Sequence, residues 1–142
     1  MRALLDVNVL IALLDSDHAS HGAAMSWFAR HGGEGWASCP ITQNGCVRIM
    51  SNPSYPNSLP VQAVLTRLAE ACQEEVHEFW PDRVSLLDPQ VFDPTRIHGP
   101  RQLTDIYLLA LAVAHDARFV TFDGKIPVAA VRKAEPEDLV VL

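Results

Sequence analysis

Two short apolar runs in this chain each end on an aspartate, Ala3-Leu4-Leu5-Asp6 and Arg118-Phe119-Val120-Thr121-Phe122-Asp123. Helix-forming sequence separates them, which predicts parallel strands in an α/β domain, and in open α/β sheets the ligand site lies beyond the carboxyl ends of the strands. Asp6 and Asp123 would both stand there. A third aspartate, Asp105, heads a helical stretch over 102–115 whose stripe is Leu103, Ile106, Leu109, Ala110 and Val113. Unit charges about 5 Å apart at an effective dielectric near 20 repel by roughly 3 kcal/mol. Such a carboxylate cluster persists only with a cation, shared protons or generous solvent, and a divalent metal is the simplest answer. Each aspartate alone has a plainer explanation: Asp6 as a helix cap, Thr104-Asp105 as cap and dipole partner, Asp123-Gly124 as a turn. Three of them in one βα-alternating chain favour a cluster.

The rest of the pattern fits one domain over residues 1–142. Val7, Leu10, Ile11 and Leu14 recur at helical spacing until Asp15-Ser16-Asp17, and a second helix over about 19–29 is stopped by Gly32-Gly33. A brief strand over 35–38 leads to Pro40 in the first turn of a helix that continues to Met50. Gln43 and Asn44 lie in that opening turn, beside a strand end. The proline-rich stretch 51–60 is a surface loop, 61–74 a helix, and His77-Glu78-Phe79-Trp80-Pro81-Asp82 its break. Residues 84–100 carry no clear period, and Leu139-Val140-Val141-Leu142 supplies a last strand.

A formal charge of −6 argues against the broad basic surface that drives nonspecific nucleic-acid binding. It leaves room for an enzyme acting on nucleic acid, because a metal supplies positive charge locally. Cys39, Cys46 and Cys72 are odd in number and form no CxxC pair, as expected of small buried residues in a reducing compartment. His18 and His21 are spaced like a metal pair but lack a third ligand. Trp27, Phe28, Trp36, Phe79 and Trp80 are expected in the core or an interface, since nothing basic interleaves them. Asp6 and Asn8 interrupt the N-terminal apolar run, and no stretch reaches the roughly 18 apolar residues of a membrane span. A cytoplasmic protein without membrane contact is the expectation.

Leu4-Leu5-Asp6-Val7-Asn8-Val9-Leu10, Ile41-Thr42-Gln43-Asn44-Gly45, Leu103-Thr104-Asp105-Ile106-Tyr107-Leu108-Leu109-Ala110 and Thr121-Phe122-Asp123 together resemble the PIN domain, and more narrowly the VapC-type ribonuclease toxins of prokaryotic toxin–antitoxin pairs. Arg48-Ile49-Met50-Ser51-Asn52-Pro53 and Glu78-Phe79-Trp80-Pro81-Asp82 extend the resemblance over essentially the whole chain. It implies an α/β three-layer sandwich with a central, mostly parallel sheet. It also implies Mg²⁺ or Mn²⁺ in an acidic pocket, cleavage of structured RNA such as tRNA or rRNA, homodimerisation, and inhibition by a VapB-type antitoxin in a heterotetramer or larger complex. Carried over position by position, Asp6, Asp105 and Asp123 match the family's acidic metal ligands.

One position departs from the pattern. Where the family has a glutamate before Asn44-Gly45, this chain has Gln43, which keeps the shape and loses a negative charge. Mg²⁺ prefers anionic oxygen ligands, so the amide should weaken the site or change the number of ions it holds. Either the glutamine is native and three aspartates suffice, or it is an engineered near-isosteric change that disarms a toxic enzyme; the conserved shape leans toward the second.

The implied chemistry is metal-assisted phosphodiester hydrolysis without an obligatory protein base. Asn8 and Thr121 are placed to orient ligands or water, and Arg48, Arg101 and Lys125 to touch backbone phosphates, although turn propensity and solvated surface charge also explain these five. Two rivals stand beside this reading. A PIN-like module that has lost catalysis would bind RNA or a partner without turnover. A phosphotransfer receiver would use a late lysine such as Lys125, but the order of motifs fits it poorly.

Overall fold

The computed structural model describes Met1–Leu142, and its centre is a five-stranded sheet in the order β3-β2-β1-β4-β5. The strands are β1 (Ala3–Leu5), β2 (Trp36–Ser38), β3 (His77–Phe79), β4 (Arg118–Thr121) and β5 (Leu139–Val141). All four pairings are parallel. Parallel strands need crossovers: α1 (Val7–Leu14) and α2 (His21–His31) lead from β1 to β2, α3 (Pro40–Met50) and α4 (Val61–Ala71) from β2 to β3, and α5 (Leu103–Ala114) from β3 to β4, while residues 122–138 reach β5 without an α-helix.

Burial on both faces explains why these strands are almost continuously apolar. In β1, Leu4 packs into a core with Leu108, Leu109, Leu111 and Phe119 below α5, while Ala3 and Leu5 pack into a second core with Val9, Ile11, Met50 and Val64 below the other helices. The same alternation sends Phe119 to the first core and Val120 to the second. The result is the three-layer α/β sandwich implied by the resemblance. No helix is long and apolar enough to cross a membrane.

Several expectations are corrected. Residues 77–79 do not merely break a helix; they form edge strand β3, paired with β2 from Trp36↔His77 to Ser38↔Phe79. The strand is three residues long and its His-Glu-Phe sequence lacks apolar alternation, so period-2 reasoning passes over it. Helix α4 stops at Ala71 rather than 74, and α2 runs from His21 to His31, two residues later than its apolar pattern. Of the aromatics expected in the core or an interface, Trp27, Trp36 and Trp80 are buried in the core and Phe79 is 52% exposed on the edge strand. His18 and His21 make separate backbone contacts, with the amide of Ser20 and the carbonyl of Ala12. Cys39 and Cys46 are buried, Cys72 only partly, and all three are free thiols.

Helices α1 and α3 approach closely at Gly45, where an added Cβ would stand 2.8 Å from Val7 Cγ2. Because the neighbour is a stiff β-branched side chain, Gly45→Ala is expected to cost about 1–3 kcal/mol. Urea unfolding checks this, and a change below about 0.5 kcal/mol, the size of a neutral surface substitution, would contradict it.

Candidate active site

The chain runs from β1 outward to β2 and β3, then returns to place β4 and β5 on the other side of β1. The reversal between β1 and β4 leaves a crevice at their carboxyl ends, the position at which open α/β sheets bind ligands. Asp6 immediately follows β1, and its amide continues the ladder by donating to the Val120 carbonyl at 3.0 Å. Its side chain is buried, with Oδ1 accepting from the Val7 amide at 2.7 Å and Oδ2 from the Thr121 hydroxyl at 2.7 Å. Asp6 is therefore a helix cap and a carboxylate at the switch point at once.

The Thr121 oxygen in turn accepts from the Asp123 amide at 3.1 Å, so one buried hydroxyl ties together the two aspartates that follow β1 and β4. Asp123 is exposed and forms an Asx turn by accepting from the Lys125 amide at 2.8 Å. Asp105 sits in the first turn of α5, where a negative charge also complements the helix dipole.

Asp6, Asp105 and Asp123 line a single cavity of about 600 Å³, together with Asn8, Asn44, Arg48, Asp82 and Thr104. Burial raises the Asp105 carboxyl to about 6, with the charges of Asp6 and Asp123 adding to the effect. Burial also raises Asp6, opposed by the Thr121 and Val7 hydrogen bonds and reinforced by Asp123. The carboxylates thus feel one another. They stand around the cavity rather than meeting at a point, and no three His, Cys, Asp or Glu side chains are already close enough to form a coordination set. Their chemistry fits a divalent cation: hard anionic oxygens, mutually destabilised, with Arg48 the only Lys or Arg in the lining.

A model of the PIN domain family matches residues 3–132. The chain belongs to the PIN domain family. Over all 142 residues, and the full length of both proteins, this PIN domain is 54% identical to Ribonuclease VapC44 of Mycobacterium tuberculosis. It is 43% identical to Ribonuclease VapC39 of the same organism over 125 residues, covering 87% of this chain and 90% of the relative. Among solved structures it resembles VapBC2 from Rickettsia felis, solved with a DNA fragment from the promoter, with TM-score 0.58, 13% identity and coverage of 100% and 98%. It also resembles Mycobacterium tuberculosis VapC20, described as a sarcin–ricin-loop-cleaving toxin, with TM-score 0.59, 14% identity and coverage of 94% and 99%. At those identities the two structures speak for the PIN fold.

The other expected residues of the PIN domain divide. Asn8 and Arg48 line the acidic cavity, and Thr121 is buried behind it. Arg101, in a short 3-10 turn before α5, and Lys125 are exposed and outside the lining. Gln43 is also absent from that lining. It borders an adjacent groove between α3 and α4, and its amide donates to Ser38 Oγ at 3.0 Å, which lies 2.8 Å from His77 Nε2.

The expected set lacked Asp82. It follows β3 by three residues, so the rule that drew attention to Asp6 and Asp123 applies to it as well. Recognising His77-Glu78-Phe79 as a strand was the missing step.

Proposed function

We propose that this PIN domain is a metal-dependent endoribonuclease toxin that cleaves structured RNA such as tRNA or rRNA and is neutralised by a VapB-type antitoxin. The carrying observation is the shared cavity of Asp6, Asp105 and Asp123 at the sheet's switch point. The ribonuclease names of full-length relatives support the reaction, and the VapBC2 complex supports the partner. Homodimerisation and assembly of two or more copies with the antitoxin belong to the same reading.

In it, Asp6, Asp105 and Asp123 hold Mg²⁺ or Mn²⁺. The ion supplies Lewis acidity, lowering the pKa of water and offsetting charge on the phosphate. The protein provides the rest. Asp6 has both oxygens fixed by Val7 and Thr121, so its orientation costs little reorganisation when substrate arrives. Arg48 offers a guanidinium to a backbone phosphate from the cavity wall, and Asn8 a neutral amide able to donate to a phosphate or a water. Arg101 and Lys125, outside the cavity, remain candidates for flanking RNA.

Thr121 acts through the aspartates it connects. Thr121→Val keeps the volume and removes the hydroxyl, and it should lower cleavage by about 10–100-fold, as loss of an outer partner of a metal ligand does. Metal titration of activity checks this: the half-saturating Mn²⁺ concentration should rise, and an unchanged value with full activity would contradict the role.

Induced expression of the chain should arrest growth with accumulation of RNA fragments. Co-expression of a VapB-type antitoxin encoded beside it should relieve the arrest, and Asp6→Ala should abolish it. Growth unaffected by abundant folded protein would contradict the toxin reading and favour the RNA- or partner-binding module, for which the neutral Gln43 is the specific argument.

A further inference from the structure

The acidic cavity continues past Arg48 into the groove between α3 and α4. Pro40, Asn44 and Arg48 line both spaces, each of about 600 Å³. Their charges differ sharply. Four aspartates line the cavity, whereas the groove is lined by no Asp or Glu, and its single charged residue is the shared Arg48. In a chain of formal charge −6, this is the direction in which a polyanion can leave the ion site without meeting further carboxylates.

The groove is also apolar where folding does not require it. Val61 and Leu65 stand one helical turn apart on α4 and line it while 52% and 51% exposed, whereas Val64 and Leu68 of the same helix are buried in the core. Val47 of α3 adds to this aliphatic surface.

Gln43 supplies a polar edge, held from beneath. The Ser38 hydroxyl is buried and lies 2.8 Å from His77 Nε2. Burial lowers the His77 imidazole below its ordinary range, so at neutral pH the ring is uncharged and Nε2 can take the Ser38 proton. The Ser38 oxygen is left to accept from Gln43 Nε2 at 3.0 Å, which turns the amide nitrogen inward. Gln43 Oε1 accepts from nothing in the protein and is not buried. One amide N–H and the oxygen thus remain free, a donor and acceptor of the kind that meets a base edge.

We propose that the α3–α4 groove is a base subsite of the cleavage site, taking the unstacked base next to the scissile phosphate. Arg48 contacts the phosphate between the two spaces, Val47, Val61 and Leu65 lie against the face of the base, and Gln43 meets its edge. Bases taken out of a stack are held in this way, by apolar side chains on the ring and hydrogen bonds at the edge. The inference rests on the proposed ribonuclease function and adds where its sequence preference is set.

Sequencing of the ends produced from hairpin RNAs with randomised loops, cut by the full antitoxin-free chain in Mn²⁺, tests this. Wild type should show a base preference at one position beside the cut. Leu65→Ser, at a half-exposed position, should raise KM about tenfold, the size of one lost base contact, with the half-saturating Mn²⁺ concentration unchanged. Gln43→Leu should flatten the base preference at that position, an effect that loss of a protein–protein contact would not produce. Metal-dependent cutting with no preference beside the cut, or the same KM and preference in both variants, would overturn the subsite and leave the nuclease standing. Unchanged cleavage by Leu65→Ser together with loss of a dimer in light scattering would also overturn it, assigning the groove to a second copy of the chain. Wild-type protein that cuts none of these RNAs would overturn the subsite and the nuclease reading together.

Discussion

Asp105→Asn should sharply reduce RNA cleavage and at the same time make the ion-free protein more stable at neutral pH. The two effects share one cause. Burial and the neighbouring Asp6 and Asp123 charges raise the Asp105 carboxyl from 3.8 to about 6. The folded protein therefore holds this proton more tightly than the unfolded chain does. The associated stability is complete below about pH 4 and is lost as pH rises through about 6. At pH 7.5 the ionised side chain burdens the fold, and a neutral amide of the same shape removes the burden. Allowing for the lost interaction with the α5 dipole, a net gain of about 1 kcal/mol, or about 4 °C in melting temperature, is expected.

The gain should shrink toward zero near pH 4, where aspartate is itself protonated. Cleavage should fall by on the order of 10²–10³, as it does when one preorganised electrostatic group is removed. In wild-type protein, protons should compete with the metal, so the apparent Mn²⁺ affinity weakens as pH drops through about 6. Melting curves from pH 4 to 8, with and without Mn²⁺, check all three statements. A destabilised Asp105→Asn at pH 7.5 would show that the carboxylate is a structural cap and not a poised ligand.

Gln43→Glu should raise metal-dependent cleavage by about tenfold or more. A glutamate at this position can only accept from the Ser38 hydroxyl, reversing the present hydrogen bond, and it brings a negative charge to the α3–α4 groove. Adding an anionic oxygen beside the acidic cavity strengthens a hard-cation site. Mn²⁺ titration and initial cleavage rates on one RNA measure the effect. Unchanged affinity and rate would mean that residue 43 lies outside the working site in this chain, as its hydrogen bonding to Ser38 suggests for the ion-free state.

Much of this site is legible because parallel strands are simple signals. Leu4, Leu5, Phe119 and Val120 are apolar on both faces, and the aspartates that end those runs mark the carboxyl edge of the sheet. The helical stripe before Phe119 locates Asp105 in the same way. Asp82 was not legible because β3 is an exposed, polar edge strand whose pairing with β2 depends on residues about 40 positions away. The direction of Gln43 was hidden for a related reason. Its partner Ser38 is only five residues away in sequence, but His77, on the far side of that serine, arrives only when β3 joins the sheet. Arg101 and Lys125 show the converse, since nearness in sequence to Asp105 and Asp123 does not bring them into the cavity lining.

The most direct test is cleavage of total tRNA and rRNA by antitoxin-free protein in Mg²⁺, Mn²⁺ or EDTA, with Asp6→Ala and the Gln43→Glu, Asp6→Ala double variant alongside. Cutting that requires the metal, stops with EDTA and is absent from both Asp6 variants is the expected result. Cleavage that persists in EDTA or survives the loss of Asp6 would contradict catalysis at this acidic cavity.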